Sequence, residues 1–300
     1  MTTPRLTAAD FDQELLILFD AYVHGDIDRR GFLDRASKFA VGGVTAAGLL
    51  AALSPNFAAA QVVPPNDTRL KTATVNVSSP QGYGTIKAYV AQPAAMPAGG
   101  KLPCVLVVHE NRGLNPHIED IARRLALDGY LAFAPDALTP LGGYPGDEDK
   151  ARALFAQLDQ SKTRQDFLAS AAALKARPDG NGRVGVVGFC YGGGIAHMLS
   201  TELPDLAAAV PFYGNHPPVE AAAKVKAPLL IHFAAMDDRI NSAWPAYEAA
   251  LKAAGVRYTA HQYPGTQHGF NNDTTPRFDA AAARLAWERT LAFFKQHLTA

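Results

Sequence analysis

Hydrophobic and polar positions after residue 70 alternate between strand-like and helix-like patterns. Residues 72–77 and 85–91 alternate apolar and polar side chains around a glycine turn, which predicts an antiparallel pair at a sheet edge. Continuous apolar runs predict strands buried on both faces, and they cover residues 104–108, 130–134, 184–189, 207–212 and 228–234. Stretches with helical spacing lie at residues 118–127, 148–176, 192–201, 243–254 and 278–297. This alternation predicts an α/β fold with a mostly parallel central sheet, covered by helices on both faces.

Residues 1–60 follow a different pattern. An amphipathic helical stretch over 1–28 precedes the pair Arg29-Arg30, an uncharged run over 39–53 and a small-residue run at 58–61. Together these features resemble a twin-arginine export signal, although the leader is long and Asp34 stands where a basic residue is commoner. The uncharged run is too short to span a bilayer, which takes about 20 residues. The alternative is a helical hairpin that packs on the domain with the arginines as surface charges.

Composition narrows what the chain can do. We predict an N-terminal segment over 1–60, a linker over 61–70 and one α/β domain over 71–300. The 28 basic and 28 acidic side chains balance, so the chain lacks the field that attracts nucleic acid. Cys104 and Cys190 are too few for a disulfide scaffold or a four-cysteine zinc site. No histidine pair has the spacing of a common metal motif, so we expect no metal and no cofactor.

A glycine-rich turn at Cys190 carries the strongest chemical signal. The run Gly188-Phe189-Cys190-Tyr191-Gly192 joins a buried strand directly to a helix. A nucleophile on so sharp a turn needs small neighbours two residues away on each side, and the helix N-terminus favours a thiolate. The alternative is a structural cysteine beside glycines that pack the helix. We expect that packing role for Cys104, which lies in a buried strand.

Two later loops offer an acid and a base. Asp237 and Asp238 follow the strand at 228–234, and we favour Asp237 because it lies nearer the strand end; Asp238 beside Arg239 fits a surface ion pair. His268 lies in a turn-rich loop over 263–270. The chain order of Cys190, Asp237 and His268 is the nucleophile, acid and base order of the α/β-hydrolase topology.

The core is similar to the dienelactone hydrolase family of α/β-hydrolases over most of residues 70–298, and the turn at Cys190 is the most specific element. Residues 107–113 also resemble the first catalytic loop of that family. The resemblance implies that Glu110 contacts the resting cysteine and helps to activate it. It also implies that the backbone N–H groups of Asn111 and Tyr191 form the oxyanion hole. A salt-bridged loop is the alternative for Glu110 and Arg112.

The resulting hypothesis is a hydrolase that cleaves a small carboxylic ester or lactone through a thioester. An α/β-hydrolase-fold binding protein without turnover and a thiol peptidase are the alternatives. Members of the family hold an anionic carboxylate with arginines, and the candidates are Arg112, Arg152, Arg164 and Arg239. The expected partner is the small-molecule substrate, with no nucleic acid and no stable membrane insertion, and the export machinery if the signal is real. The expected location is then periplasmic or secreted; the alternative is cytoplasmic with a retained segment.

Overall fold

The computed structural model describes residues 6–96 and 99–299 and places one eight-stranded sheet among them. The strands are β1 (Leu70–Ser79), β2 (Gly84–Pro93), β3 (Leu102–Val108), β4 (Leu131–Pro135), β5 (Gly180–Phe189), β6 (Ala208–Phe212), β7 (Leu229–Met236) and β8 (Tyr258–Gln267). The helices are α1 (Gln13–His24), α2 (Arg29–Ala36), α3 (Ala46–Leu53), α4 (Phe57–Ala60), α5 (Pro116–Leu127), α6 (Glu148–Phe155), α7 (Gln160–Lys175), α8 (Tyr191–Glu202), α9 (Asp238–Asn241), α10 (Trp244–Ala253) and α11 (Ala280–Leu298).

The strand order is β1-β2-β4-β3-β5-β6-β7-β8. The strands β1 and β2 pair antiparallel with each other, and β2 pairs antiparallel with β4. Every later pair, from β4-β3 to β7-β8, is parallel. This arrangement confirms the predicted α/β-hydrolase fold, and it brings the carboxyl ends of β3, β5, β6, β7 and β8 to one edge of the sheet, where ligands bind in open α/β sheets.

Each face of the sheet is covered by apolar helix faces. Phe167 of α7, Leu199 of α8 and Leu251 of α10 belong to the core on one face. Ile121 of α5 and Phe294 of α11 belong to the core on the other face. Helices on both faces explain why the central strands are continuous apolar runs without alternation.

Two predicted boundaries are wrong. The helix expected over residues 148–176 is two helices, because the Asp159 carboxylate accepts hydrogen bonds from the N–H groups of Ser161 and Lys162 and so starts α7 afresh. The loop expected over 263–270 is strand up to Gln267, since β8 keeps its pairing with β7 past a register shift between Ala234 and Met236.

The N-terminal segment, residues 6–60, has a small core of its own. Helices α1, α2 and α3 bury Phe19, Phe32 and Leu53 against one another. Arg29, the first arginine of the pair, starts α2 and forms an ion pair with Asp149 at 2.7 Å. The segment therefore packs on the α/β domain as in the alternative of a helical hairpin, and export stays a prediction. Within the described ranges, no helix is long and apolar enough to cross a membrane.

The predicted linker is held in place at its start. The backbone N–H groups of Val62 and Val63 donate to the two carboxylate oxygens of Asp120, at 3.0 and 2.8 Å. Arg123 Nε donates to the carbonyl of Val63 at 2.8 Å. Because Asp120 and Arg123 lie on α5, these bonds tie the end of the N-terminal segment to a core helix.

Candidate active site

Cys190 lies on a strained turn between β5 and α8. Its φ of 55° and ψ of −113° are unusual for a residue with a side chain, and its N–H donates to the carbonyl of Phe212 at 3.1 Å. A Cβ at Gly188 would overlap the carbonyl oxygen of Gly192, and a Cβ at Gly192 would overlap that of Val108. The two glycines are therefore required by the turn, as the sequence predicts.

His268 and Asp237 meet at the carboxyl edge of the sheet. Asp237 follows β7, His268 follows β8, and Asp237 Oδ2 lies 2.6 Å from His268 Nδ1 with both side chains buried. Asp238 is exposed at the start of α9. The geometry therefore favours Asp237 over Asp238 as the partner of the histidine.

The expected surface pair of Asp238 with Arg239 is not among the contacts of the described residues. The Arg239 guanidinium instead points to the site, with Nη2 at 3.0 Å from His24 Nε2 and 3.4 Å from His268 Nδ1. Arg239 Nε also lies 3.8 Å from a carboxylate oxygen of Asp20.

A second histidine, His24, lies at the end of α1 and contacts the cysteine. His24 Nε2 is 3.3 Å from Cys190 Sγ, and the His24 ring meets the His268 ring edge to face with centroids 4.7 Å apart. One ligand atom each of His24, Cys190 and His268 fall within 4.8 Å of one another. Thiol and imidazole groups can bind a metal ion at such distances, and the expectation of a metal-free site stays a prediction.

Several polar contacts hold α1 over the site. Arg277 Nη1 donates to Asp20 Oδ1 at 3.0 Å, and Asp20 in turn contacts Nδ1 of His24 through both its carbonyl oxygen, at 2.8 Å, and its carboxylate, at 3.3 Å. Asn111 Nδ2 donates to the carbonyl of Val23 at 2.9 Å. Nothing in the local sequence around His24 indicated its contacts with Cys190 and His268, because these partners lie far away along the chain.

The charges around Cys190 change its acidity. Burial opposes ionisation, but the positive charges of His268 and His24 outweigh it and lower the pKa of Cys190 to about 6. Burial also disfavours the charged form of His268, yet the Cys190 thiolate and Asp237 raise its pKa to about 10. Burial, together with the nearby charge of Asp179, raises the pKa of Cys104 to about 11. The site therefore favours a thiolate–imidazolium pair, and Cys104 is a packing residue, as predicted.

Side-chain hydrogen bonds hold the loop after β3, which carries Glu110. The Glu110 carboxylate accepts from Nδ2 of Asn272 at 2.9 Å, while His24 contacts Cys190 Sγ at 3.3 Å. The expected contact of Glu110 with the resting cysteine stays a prediction. His109 fixes the loop, because its Nδ1 donates to the carbonyl of Glu110 and its Nε2 accepts from the N–H of Ala137. Tyr191 starts α8, where an N–H has no intrahelical acceptor and can serve an oxyanion.

Arg112 is buried beneath α1, with protein acceptors around its guanidinium. Nη2 donates to the carbonyl of Val23 at 3.1 Å, and Nη1 donates to Asn111 Oδ1 at 2.6 Å. Nε lies 3.6 Å from a carboxylate oxygen of Glu148. These contacts let Arg112 support α1, and its binding of substrate stays a prediction.

Two cavities open beside Cys190. The larger, ≈ 370 Å³, is lined by His24, Asn111, Arg152, Phe155, Tyr191, Tyr213 and Arg239 among others. The smaller, ≈ 50 Å³, lies between α1 and the loop that carries Glu110. The larger cavity has room for a small substrate, and α6 forms part of its wall through Arg152 and Phe155.

The chain is similar to known proteins in both sequence and fold. Residues 86–298 match the Dienelactone hydrolase family, and residues 2–41 match a family described as YqhI-like. A provisionally named carboxymethylenebutenolidase of Escherichia coli strain K12 is 35% identical over 235 residues, which cover 73% of this chain and 86% of that protein. A provisionally named hydrolase fragment of the same strain, YghX, is 49% identical over 116 residues, covering 39% of this chain and 97% of the fragment. A solved structure of a provisionally named dienelactone hydrolase from Klebsiella pneumoniae is 32% identical with a TM-score of 0.66, covering 75% and 99% of the two chains.

Proposed function

Because the chain belongs to the dienelactone hydrolase family and is therefore a carboxylic ester or lactone hydrolase, we propose that Cys190, His268 and Asp237 carry out the hydrolysis through a thioester. The observation that carries this proposal is the contact of Asp237 with His268, 2.6 Å, beside a cysteine on a nucleophile turn. The names of the matched family and of the similar proteins indicate the class of reaction. A screen of esters and lactones is needed to identify the natural substrate.

Acylation begins from the thiolate–imidazolium pair. In this pair the proton of the Cys190 thiol resides on Nε2 of His268, a buried atom without a hydrogen-bond partner in the described residues, and Asp237 holds the ring through Nδ1. The thiolate attacks the carbonyl carbon and forms the S–C bond of a tetrahedral intermediate. The C–O bond to the alkoxide then breaks, the alkoxide takes the proton from His268, and a thioester remains.

Deacylation uses the same histidine as a base. Neutral His268 accepts a proton from a water molecule, whose oxygen attacks the thioester carbonyl. The S–C bond breaks, the acid is released, and the Cys190 thiolate is again paired with protonated His268. For a lactone, the acid and the alcohol remain in one product molecule.

The backbone N–H groups of Tyr191 and Asn111 are our candidates for the oxyanion hole. Tyr191 begins α8, so the partial positive charge of the helix N-terminus adds to its N–H. Each such donor contributes about 3 kcal/mol by stabilising charge that develops only in the transition state.

Hydrolysis of an aryl acetate by wild type, Cys190→Ala and Cys104→Ala tests the proposal. We expect loss of activity in Cys190→Ala and wild-type activity in Cys104→Ala. In the wild-type protein, mass spectrometry should detect the acyl group on Cys190. Activity that survives in Cys190→Ala contradicts the nucleophile. Absence of turnover on esters and lactones favours the binding protein, and turnover of peptides alone favours the thiol peptidase.

The cellular location depends on whether the N-terminal segment is kept. Removal of a twin-arginine signal near residue 60 would also remove α1, whose His24 contacts the nucleophile. We therefore favour the retained segment, which fits the cytoplasmic alternative, over export. N-terminal sequencing of protein from periplasmic and cytosolic fractions decides: a periplasmic chain that starts near residue 61 supports export and contradicts retention.

A further inference from the structure

The N-terminal segment brings a reactive group to the nucleophile. His24 Nε2 lies 3.3 Å from Cys190 Sγ, a distance at which an imidazole N–H donates a hydrogen bond to sulfur. The side chain of His24 is 12% exposed, and Asp20 holds its Nδ1 on the opposite side of the ring. The ring is therefore fixed in orientation, with Nε2 directed at the sulfur.

His24 Nε2 has two neighbours that need different protonation states. Arginine can only donate, so the contact with Arg239 Nη2 at 3.0 Å needs the lone pair of Nε2. A hydrogen bond to the Cys190 thiolate needs a proton on the same nitrogen. The two contacts therefore belong to neutral and protonated His24 respectively.

We propose that His24 is a catalytic residue of the hydrolysis, a second imidazolium that stabilises the Cys190 thiolate and makes the N-terminal segment part of the active site. This inference rests on the proposed function of Cys190. It extends that function by adding a group from outside the α/β-hydrolase domain.

The proton balance of the cycle follows from the two neighbours. In the resting enzyme, protonated His24 donates Nε2–H to the thiolate, while His268 carries the proton of the thiol. When the thioester forms, the sulfur loses its charge, so His24 releases its proton to solvent and accepts from Arg239. When the thiolate leaves in deacylation, His24 takes a proton from solvent and stabilises it again.

Charged groups from each element around His24 enter this balance. Asp20 of α1, Arg239 of α9, Cys190 at the start of α8 and His268 after β8 contact the imidazole directly. Around the small cavity beside it lie Glu110, Arg112, Glu148, Asp149 and Arg277. Burial disfavours protonation of His24, but the Cys190 thiolate and Asp20 raise its pKa, which supports the charged form in the resting enzyme.

Alkylation of Cys190 by iodoacetamide across pH tests the proposal without any substrate. In the full-length His24→Ala variant we expect the midpoint to rise by about one pH unit, as for loss of one opposite charge within hydrogen-bond distance. The same shift lowers kcat/KM for an aryl ester about fivefold at pH 6 and little at pH 9. His24→Gln keeps an amide donor without a charge and should fall between wild type and His24→Ala.

Lys38→Ala is the matched control, because it removes an exposed ion pair with Glu14 in the same segment, away from Cys190. We expect its alkylation midpoint and pH profile to be those of wild type. Wild-type midpoints in both His24→Ala and His24→Gln overturn the proposal. Faster hydrolysis by His24→Ala at every pH also overturns it, since His24 would then block the nucleophile.

The test separates this inference from the proposed function. If Cys190→Ala still hydrolyses the ester, the proposed nucleophile is wrong, whatever happens at His24. If Cys190→Ala is inactive and His24→Ala is alkylated and hydrolyses as wild type does, only the role of His24 is wrong.

Discussion

The two cysteines show how surroundings decide the chemistry of one residue type. Cys104 lies inside the sheet, where burial raises the pKa of its thiol to about 11. Cys190 is also surrounded by protein, but His268 and His24 overcome burial and lower the pKa of its thiol to about 6. The sequence predicted this contrast from the turn at Cys190, although it identified only one of the two histidines.

The pH dependence of hydrolysis follows from these acidities. As pH rises through about 6, the Cys190 thiol loses its proton and kcat/KM increases. As pH rises through about 10, His268 loses the proton that the leaving alkoxide needs, and kcat/KM decreases. We expect a bell-shaped profile whose limits belong to the coupled pair, measured with an ester whose own hydrolysis is slow. A single rise near pH 8.5, as for a free thiol, would contradict the pair.

The two neighbouring aspartates offer a matched comparison. Asp237→Asn keeps the shape of the side chain but removes the charge that fixes the His268 tautomer, so kcat should fall roughly 10³–10⁴-fold. Asp238→Asn changes an exposed side chain and should remain near wild type. Steady-state kinetics of both variants check this. A larger loss in Asp238→Asn would reverse the assignment of the triad acid.

At the level of elements, local patterns predicted the strands, most helices and the turn at Cys190. These elements could be predicted because a strand that is buried on both faces has apolar residues at successive positions. The break between α6 and α7 was missed since the capping carboxylate of Asp159 lies inside a continuous helical pattern. The docking of α1 was missed because it depends on partners such as Arg277, which no local pattern joins to Asp20.

The turn between β5 and α8 has no room for a side chain at Gly188, so a larger residue there should destabilise the fold. In Gly188→Ala, the new methyl group overlaps the carbonyl of Gly192, so we expect a loss of about 3 kcal/mol in the free energy of unfolding. Gly194→Ala is the control, since a Cβ there has its nearest neighbour at 3.5 Å and removes helix flexibility. Urea denaturation of both variants measures the difference. Equal stabilities would contradict the packing described for this turn.

For the whole molecule, the N-terminal segment and the α/β domain both place side chains around Cys190. The segment has its own core, and it joins the domain through α1, Arg29 and the bonds of Val62 and Val63 to Asp120. A change inside this small core should therefore reach Cys190 through the position of His24.

Phe32→Ala tests that link. Phe32 is fully buried among Phe19 and Tyr22, so its removal should destabilise the segment by about 3–5 kcal/mol. We expect faster cleavage of the segment in limited proteolysis and an alkylation midpoint of Cys190 shifted toward that of His24→Ala. Ile17→Ala, which changes a side chain of α1 that is 59% exposed, should leave both unchanged. If Phe32→Ala is cleaved faster but its Cys190 alkylation midpoint is that of wild type, the packing of the segment does not control the acidity of the thiol.

On the proposed mechanism, the Cys190 thiol becomes reactive only after α1 has docked on residues that come much later in the chain, such as Arg277, which bonds to Asp20. The ribosome makes α1 well before the side chains that contact it, His268 and Arg277. Until then Cys190 has neither imidazolium in place and behaves as an ordinary thiol, mostly protonated at neutral pH. The growing chain therefore does not carry an activated thiolate that oxidants could attack, and nucleophilicity arrives only with completion of the fold.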